Sequence, residues 1–307
     1  MMIPLLLGVS IICFFLVVMM PGDAIDLMVS PDLAPEQAAI RRAQLGLDQP
    51  IHVQYFRWMG EVLSGNLGFS VVTRLPVAES IFERLPATLL LMGISLVFSL
   101  AIGVFLGVIS ALKQRTATDS IATVGAFLGV SIPNFFLALC AIYIFSVVLG
   151  WLPSSGMRTP GAPFSLVDRV TRLIMPVMVL SLESVAIITR YMRSSMLEVV
   201  RADYIRTARA KGLHENLVVY KHALRNALLP LVTIMGLRLR WLFGGSVIIE
   251  RVFSWPGIGR LMVDSVFQRD TSVIMGIVMI SALLVVSGNL VADISYALVD
   301  PRIRYGE

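Results

Sequence analysis

The chain has 307 residues, of which 57% are hydrophobic and only 15% are charged, whereas soluble domains carry about 25% charged residues. Its formal net charge of +5 is compatible with a nucleic-acid partner, but polyanion-binding proteins spread their basic residues over a soluble face. Here the basic residues lie between long apolar runs, which is the pattern of membrane topology. The composition therefore predicts an integral membrane protein and excludes a nucleic-acid partner.

Six apolar segments are long enough to be membrane-spanning helices, because about 20 apolar residues in a helix cross roughly 30 Å of hydrocarbon. A helix is favoured there because it closes its own backbone hydrogen bonds. In chain order the segments are 1–20, 86–112, 121–150, 173–191, 228–249 and 272–299. The sequence therefore predicts an all-α integral membrane protein with six transmembrane helices.

The distribution of Lys and Arg predicts the orientation, because cytoplasmic loops carry the excess of basic residues. The 113–119 loop, the 192–227 loop and the C-terminal tail together hold eleven basic residues, whereas the 21–85 segment holds five against eight acidic residues. We therefore expect both termini to be cytoplasmic. The segments 21–85, 151–172 and 250–271 then face outward.

The N-terminal region divides into a first helix and a long outward segment. Residues 1–20 lack the charged start and the small-residue cleavage site of a signal peptide, so we interpret them as a retained helix. Residues 21–85 contain two helical patterns, and Tyr55, Phe56 and Trp58 suit a membrane interface. We predict a small extracytoplasmic cap, with a flexible loop as the alternative, followed by a five-helix permease core at 86–307.

No catalytic or metal-binding motif is present in the sequence. It contains no GxxxxGK[ST], GxSxG or HExxH pattern, and Cys13 and Cys140 lie in separate apolar runs without a CxxC spacing. We therefore expect no metal site, no disulfide and no catalytic residues, so that the energy for any transport comes from a gradient or from another subunit.

The stretch RADYIRTARAKGLHENLVVYKHALRN at 201–226 interrupts the apolar runs. Tyr204 to Lys211 form a pattern of two helical turns, and Gly212 supplies a helix stop. A short helix with exposed Arg206, Thr207 and Arg209 is suited to dock in a groove of a soluble partner. A solvated basic loop without further role is the alternative.

This stretch resembles the cytoplasmic coupling loop of ABC-importer permeases of the dipeptide, oligopeptide and nickel branch. The resemblance rests on DYIRTARAKG followed by HALRNALLP. Further matches in the same order are PGD, LGLDQP, ERLPATLLL, SIPNF, GWLPSSG, RSSMLEVV, GGSVIIERVFSWPGIGRLMVDSV and DPRIRYG. Of the general importer signature, only Ala208, Gly212 and Leu224 match, and Arg238 and Arg240 stand where many relatives are neutral.

The resemblance implies a non-catalytic subunit in a bacterial-type cytoplasmic membrane. It implies a second permease subunit, two ATP-binding subunits that carry ATP and Mg, and an extracytoplasmic solute-binding protein, with no cofactor bound by this chain. The substrate alternatives are a dipeptide, an oligopeptide, glutathione and a nickel chelate. A stand-alone secondary carrier, which would show inverted repeats and broken helices, is the alternative function. The implied ATPase-coupling residues are Tyr204, Arg206, Thr207, Ala208, Arg209, Ala210, Lys211, Gly212 and Leu213.

Polar and ionisable residues inside predicted spans are candidates for the translocation pathway, because such groups are costly in a bilayer. The candidates are Asn134, Glu183, Arg238, Arg240, Asn289 and Asp293. Asn134 follows Pro133, which is expected to kink the third helix. The alternative for Glu183 is a structural ion pair with Arg238 or Arg240.

The outward run VFSWPGIGRLM has the turn residues of a re-entrant hairpin. We predict that Trp255, Pro256 and Gly257 contact the binding protein, with a simple connector as the alternative.

Overall fold

The computed structural model of the protein describes residues 2–19, 48–231 and 246–299. Apart from one isolated bridge between Phe69 and Pro76, the regular structure in these ranges is helical. The helices are α1 Met2–Val18, α2 Ile51–Leu63, α3 Val77–Leu112, α4 Ala117–Ser131, α5 Asn134–Ala141, α6 Leu166–Val200, α7 Asp203–Ala210, α8 Glu215–Leu217, α9 Ile258–Gln268 and α10 Thr271–Val299. A π-helical run, Ile142–Val148, extends α5, and another, Val218–Ala223, extends α8 and leads into Leu224–Ala227.

Three helices in the described part of the chain are long and apolar enough to cross a membrane. They are α3, α6 and the Thr271–Gly288 part of α10, and α4 with α5 is a fourth span if the bent pair is counted as one. In α1 the apolar stretch is shorter, at Pro4–Leu16. Most of the predicted fifth span, residues 232–245, and the first part of the predicted cap, residues 21–47, lie outside the described residues. The fold is therefore an all-helical membrane fold.

The helix α3 begins nine residues before the predicted start at Pro86. It runs through this proline, which lacks the N–H of one helical hydrogen bond but does not end the helix. The preceding turns are stabilised by packing, because Val77 and Ile81 are fully buried in a cluster with Val273 and Ile277. The predicted boundary was wrong because the local proline signal was outweighed by these tertiary contacts.

The prediction of a single kinked helix at 121–150 is also wrong, because the structure has two helices there. Ile132 and Pro133 are in extended conformations between α4 and α5, and the two helix axes differ by 104°. A proline disfavours the helical conformation of the residue before it. The chain therefore breaks at this point, and Asn134 becomes the first residue of α5.

A stripe of small residues on α3 brings its backbone close to α6. Ser95, Ser99, Gly103 and Gly107 recur every four residues, and the Ser99 hydroxyl donates to the Ser95 carbonyl at 2.6 Å. A Cβ atom added at Gly107 would lie 2.6 Å from the Cβ of Met192. Small residues at such spacing allow close contact of membrane helices, so α3 and α6 form a tightly packed pair.

The described chain divides into two compact units. The first comprises Met1–Pro86 and Gly257–Val286, and the second comprises Ala87–Pro256 and Ser287–Glu307. The predicted division into a first helix, a cap and a permease core at 86–307 stays a prediction.

In the first unit, the 70–72 loop is held by Asp270. This carboxylate is buried and accepts hydrogen bonds from the Ser70 hydroxyl and from the Val71 N–H at 3.2 Å. The segments that contain these residues, 21–85 and 250–271, are both predicted to face outward, and their contact is consistent with a position on the same side of the membrane. In the same unit, Tyr55 of α2 hydrogen-bonds to Ser10 of α1 at 2.8 Å.

In the second unit, two clusters organise the helices. One cluster surrounds the fully buried Trp255 and includes Leu91 and Met175. The Gly156 N–H donates to the Phe253 carbonyl at 2.8 Å, which joins two further segments that are predicted to face outward. The other cluster contains the end of α6 and the segment that follows it.

Candidate functional site

The helix α7 presents one face to the protein and the other to solvent. Ile205 and Ala208, three residues apart, are buried. The side chains between and beyond them are exposed, including Tyr204, Arg206 and Arg209. Because residues three apart share one face of a helix, α7 is attached along one narrow stripe and leaves a mostly polar, basic surface free for a partner.

The buried stripe of α7 packs on the Val218–Ala223 run, within a cluster that also includes the end of α6. Ile205 and Ala208 belong to one cluster with Met192 and Met196 of α6, which have no exposed surface. The Ser195 hydroxyl of α6 donates to the carbonyl of a residue further along the segment, Ala227, at 2.9 Å. The position of α7 is therefore set by the Val218–Ala223 run, which in turn packs on α6.

A tight turn at Gly212 ends α7. The Gly212 N–H donates to the Arg209 carbonyl at 2.9 Å, and the Lys211 N–H donates to the Thr207 carbonyl at 3.0 Å. The φ angle of Gly212 is +73°, with open space where a Cβ would be. Glycine suits this position because L-residues with a side chain rarely adopt such a backbone conformation, which confirms the helix stop predicted from the sequence.

An ion pair spans this turn. The Arg209 guanidinium contacts both carboxylate oxygens of Glu215, at 2.7 Å from Nη2 to Oε1 and 3.1 Å from Nε to Oε2. Hydrogen bonds from Arg209 lower the pKa of the Glu215 carboxyl and raise the pKa of the Arg209 guanidinium. The bidentate geometry joins the end of α7 to the start of α8.

The structure therefore separates the predicted coupling residues into two groups. Ala208 lies on the buried face of α7, so it packs the helix against the protein and does not form part of the exposed surface. The exposed group comprises Tyr204, Arg206, Thr207, Arg209, Ala210, Lys211, Gly212 and Leu213.

The prediction that Trp255 is a surface contact is wrong. Its side chain has no exposed surface, and the indole Nε1–H donates to the Ala87 carbonyl at 2.9 Å. The side chain is therefore a core residue that fastens the 250–256 segment to α3, and it is not available to a binding protein. Pro256 is exposed, whereas Gly257 is buried.

The predicted pathway residues are only partly described. Asn134 and Glu183 are half-buried, the former at the start of α5 and the latter in the middle of α6. Asn289 and Asp293 lie within α10. Arg238 and Arg240 lie outside the described residues, so the proposed ion pair with Glu183 stays a prediction.

Sequence reasoning missed two buried acidic groups in the second unit. Glu250 is fully buried and accepts a hydrogen bond from the Thr88 hydroxyl at 2.9 Å. Asp119 is 6% exposed and pairs with Arg193 at 2.7 Å. A carboxylate directly after an apolar run was the available signal for Glu250, whereas Arg193 was counted only as a basic loop residue.

Comparison with known protein families matches almost the whole chain. Residues 103–305 match the family described as binding-protein-dependent transport system inner membrane component. Residues 1–92 match the N-terminal family of binding-protein-dependent transport system membrane components.

Relatives of similar length are permease proteins. The chain is 48% identical to the oligopeptide transport system permease protein AppB of Bacillus subtilis, over 99% of this chain and 97% of the relative. It is 42% identical to the glutathione transport system permease protein GsiC of Salmonella paratyphi A, over 99% of this chain and 96% of that protein.

The fold is also found among solved structures of ABC transporters. A chain of the MetNI methionine ABC transporter in an inward-facing conformation aligns with a TM-score of 0.57 at 20% identity, over 72% of this chain and 96% of that chain. An amino acid ABC transporter with histidines aligns with a TM-score of 0.54 at 15% identity, over 72% of this chain and 94% of that chain. The family match and the permease relatives favour the importer hypothesis over the secondary carrier. The chain therefore belongs to the family of binding-protein-dependent transport system inner membrane components and is a multi-pass inner membrane permease subunit of an ABC importer.

Proposed function

We propose that this permease forms one half of the translocation pathway for a peptide or a related small solute, and that ATPase subunits dock on the exposed face of α7. The observation that carries the docking proposal is that α7 buries only Ile205 and Ala208, which leaves its mostly polar, basic face exposed. A second permease subunit completes the pathway, and an extracytoplasmic binding protein delivers the solute. ATP and Mg are bound by two separate ATPase subunits, and this chain binds no cofactor.

In this proposal α7 carries the energy of ATP binding to the pore. A ligand can shift a conformational equilibrium only by its differential affinity for the two states. ATP binding favours the conformation in which the two ATPases approach each other, and α7 follows the subunit on which it docks. The short turn at Gly212 and the ion pair between Arg209 and Glu215 keep α7 rigid enough to transmit that movement.

The names of the relatives support a peptide-like substrate, since they refer to oligopeptide and glutathione transport. A zwitterionic solute requires charges of both signs along its route. We propose Glu183 and Asp293 as acidic groups, and Arg238 and Arg240 as basic groups, of that route, with Asn134 and Asn289 as further polar contacts.

We propose that α7 lies in the cytoplasm together with both termini. The excess of Lys and Arg in 192–227 supports this orientation. The contact between the 113–119 loop and the end of α6, through Asp119 and Arg193, supports the assignment of these two basic loops to one side.

The first test is to tag this chain, extract the membranes in mild detergent and identify the copurifying proteins by mass spectrometry. Recovery of a second permease and of nucleotide-binding subunits is the expected result. A chain that purifies alone, even after gentle crosslinking, would contradict the proposal.

A matched pair of variants tests the docking face. Ala210→Trp places a bulky group on the exposed side of α7 and is expected to reduce the ATPase recovered while the chain remains folded. Ala162→Trp alters another exposed alanine, in a segment predicted to face outward, and should retain the ATPase. Equal recovery from both variants would show that α7 is not the docking element.

A further inference from the structure

An ion pair between a buried carboxylate and a partly exposed guanidinium lies where α3, α4 and α6 meet. Arg193 of α6 contacts both oxygens of Asp119 in the first turn of α4, at 2.7 Å from Nε to Oδ1 and 2.8 Å from Nη2 to Oδ2. Such bidentate, charge-assisted pairs are directional as well as strong. The pair therefore fixes the rotation of α6 about its axis relative to α4.

The remaining hydrogen-bonding capacity of the carboxylate is used by α3 and the loop after it. The Ser110 hydroxyl of α3 donates to Asp119 Oδ1, and the Arg115 N–H donates to Oδ2 at 3.0 Å. Arg193 Nε also donates to Ser110 Oγ at 3.1 Å. Three helices are thus joined through one carboxylate, and loss of one partner leaves a buried polar group without compensation.

The same turns of α6 belong to the cluster in which α7 packs. Met192 and Met196, on either side of Arg193 in the sequence, have no exposed surface and pack in the cluster with Ile205 and Ala208. The α7 helix packs on the Val218–Ala223 run and this run packs on α6, so a displacement of α7 reaches the part of α6 that Asp119 holds through that run. The ion pair is placed to pass this displacement on to α3 and α4.

We infer that Asp119 and Arg193 are positioning residues that couple the movement of α7 to the membrane helices α3 and α4. This inference rests on the proposed function of α7. Asp119 is buried, and both residues lie outside the exposed face of α7 on which we propose that the ATPases dock. Their role is to keep α6 from turning independently when the ATPases move.

The chain offers a matched control at the opposite end of α6. Arg172 pairs with Asp168 of the same helix at 2.8 Å and also donates to the Ser155 carbonyl. This second pair has the same chemistry and lies on the same helix. Its residues are not part of the cluster that contains α7, and they do not take part in the contact with α3. A general loss of stability from removing a guanidinium would affect both pairs.

The test compares Arg193→Gln, Asp119→Asn and the control Arg172→Gln in the complete transporter, reconstituted in lipid nanodiscs with its ATPases and binding protein. Three quantities are measured: the ATPase recovered per permease, the stimulation of ATP hydrolysis by solute-loaded binding protein, and the distance distribution between spin labels at Gln114 and Asn216. Allosteric coupling changes an equilibrium by a factor of about 5 to 150. We therefore expect at least about a fivefold loss of stimulation in both Asp119 and Arg193 variants, with unchanged ATPase recovery and a broadened distance distribution.

A conservative variant separates positioning from simple structural support. Arg193→Lys keeps the charge but not the bidentate geometry, so it should assemble and show intermediate stimulation. Stimulation of Arg193→Gln equal to that of Arg172→Gln, or failure of Arg193→Lys to assemble, overturns the inference. A wild-type chain that recovers no ATPase overturns the proposed function as well, whereas a normally coupled wild type beside an unaffected Arg193→Gln overturns this inference alone.

Discussion

Replacement of Gly107 by alanine is expected to destabilise the contact between α3 and α6. The added Cβ would lie 2.6 Å from the Cβ of Met192 and 2.8 Å from the carbonyl oxygen of Thr189. Neither obstacle can be removed by a change of rotamer, because one is a backbone atom and the other is a Cβ atom. Adding a methyl group to a packed site costs about 1–3 kcal/mol, and fixed neighbours place this variant towards the upper end of that range.

The measurement is the apparent melting temperature of the purified protein in detergent, followed by tryptophan fluorescence. Gly93→Ala is the matched control, because it lies on the same helix and has no atom within 4 Å of the added Cβ. Gly107→Ala should unfold at a clearly lower temperature than Gly93→Ala. Equal melting temperatures would refute the close approach of α3 and α6 at this point.

Three further predictions concern the turn after α7 and the buried tryptophan. Gly212→Val should cost about 1–2 kcal/mol in the left-handed conformation and reduce ATPase recovery more than Gly212→Asn does, because asparagine tolerates this conformation; equal recovery would argue against a strained turn. Because the folded-state pKa of Glu215 is lowered, its pairing with Arg209 stabilises the turn fully above the unfolded pKa of about 4.3 and loses this effect as pH falls through the folded-state pKa. Limited proteolysis should therefore cleave the turn faster in acid, and Arg209→Gln should abolish that pH dependence; since the pair is exposed, the effect is worth about 0.2–1 kcal/mol. Trp255→Phe removes the hydrogen bond to the Ala87 carbonyl and should lower the free energy of unfolding by at least about 1–3 kcal/mol, measured by thermal unfolding, whereas an unchanged value would indicate that the indole is not buried.

The sequence was sufficient to predict α7 and its end because both depend on local signals. Two helical turns followed by glycine are specified by residues 204–212, and the structure places α7 at Asp203–Ala210 with Gly212 at a positive φ. The exposure of Arg206 and Arg209 followed from the same periodicity. What the local pattern did not show was that Ala208 faces the protein, since a single alanine fits either face of a helix.

The remaining differences arise from contacts between residues far apart in the chain. Trp255 stands beside a Pro-Gly turn, which favours a surface position, but its indole reaches a carbonyl on α3 that lies 168 residues earlier. Arg193 and Asp119 are 74 residues apart, and basic-residue counting has no means of distinguishing a paired arginine from a topological one. Local pattern reasoning therefore predicts element type well, but it does not predict burial or partner choice.

The hydrogen bond between Ser70 and Asp270 has a consequence for the order in which the protein is made. These residues are 200 positions apart, so the 70–72 loop cannot reach its final hydrogen bonds until residue 270 has been synthesised and has reached the same side of the membrane. Domains usually fold from the N-terminus during synthesis. Here the segment that leaves the ribosome early waits for one of the last, while residues 87–256 of the second unit are already complete.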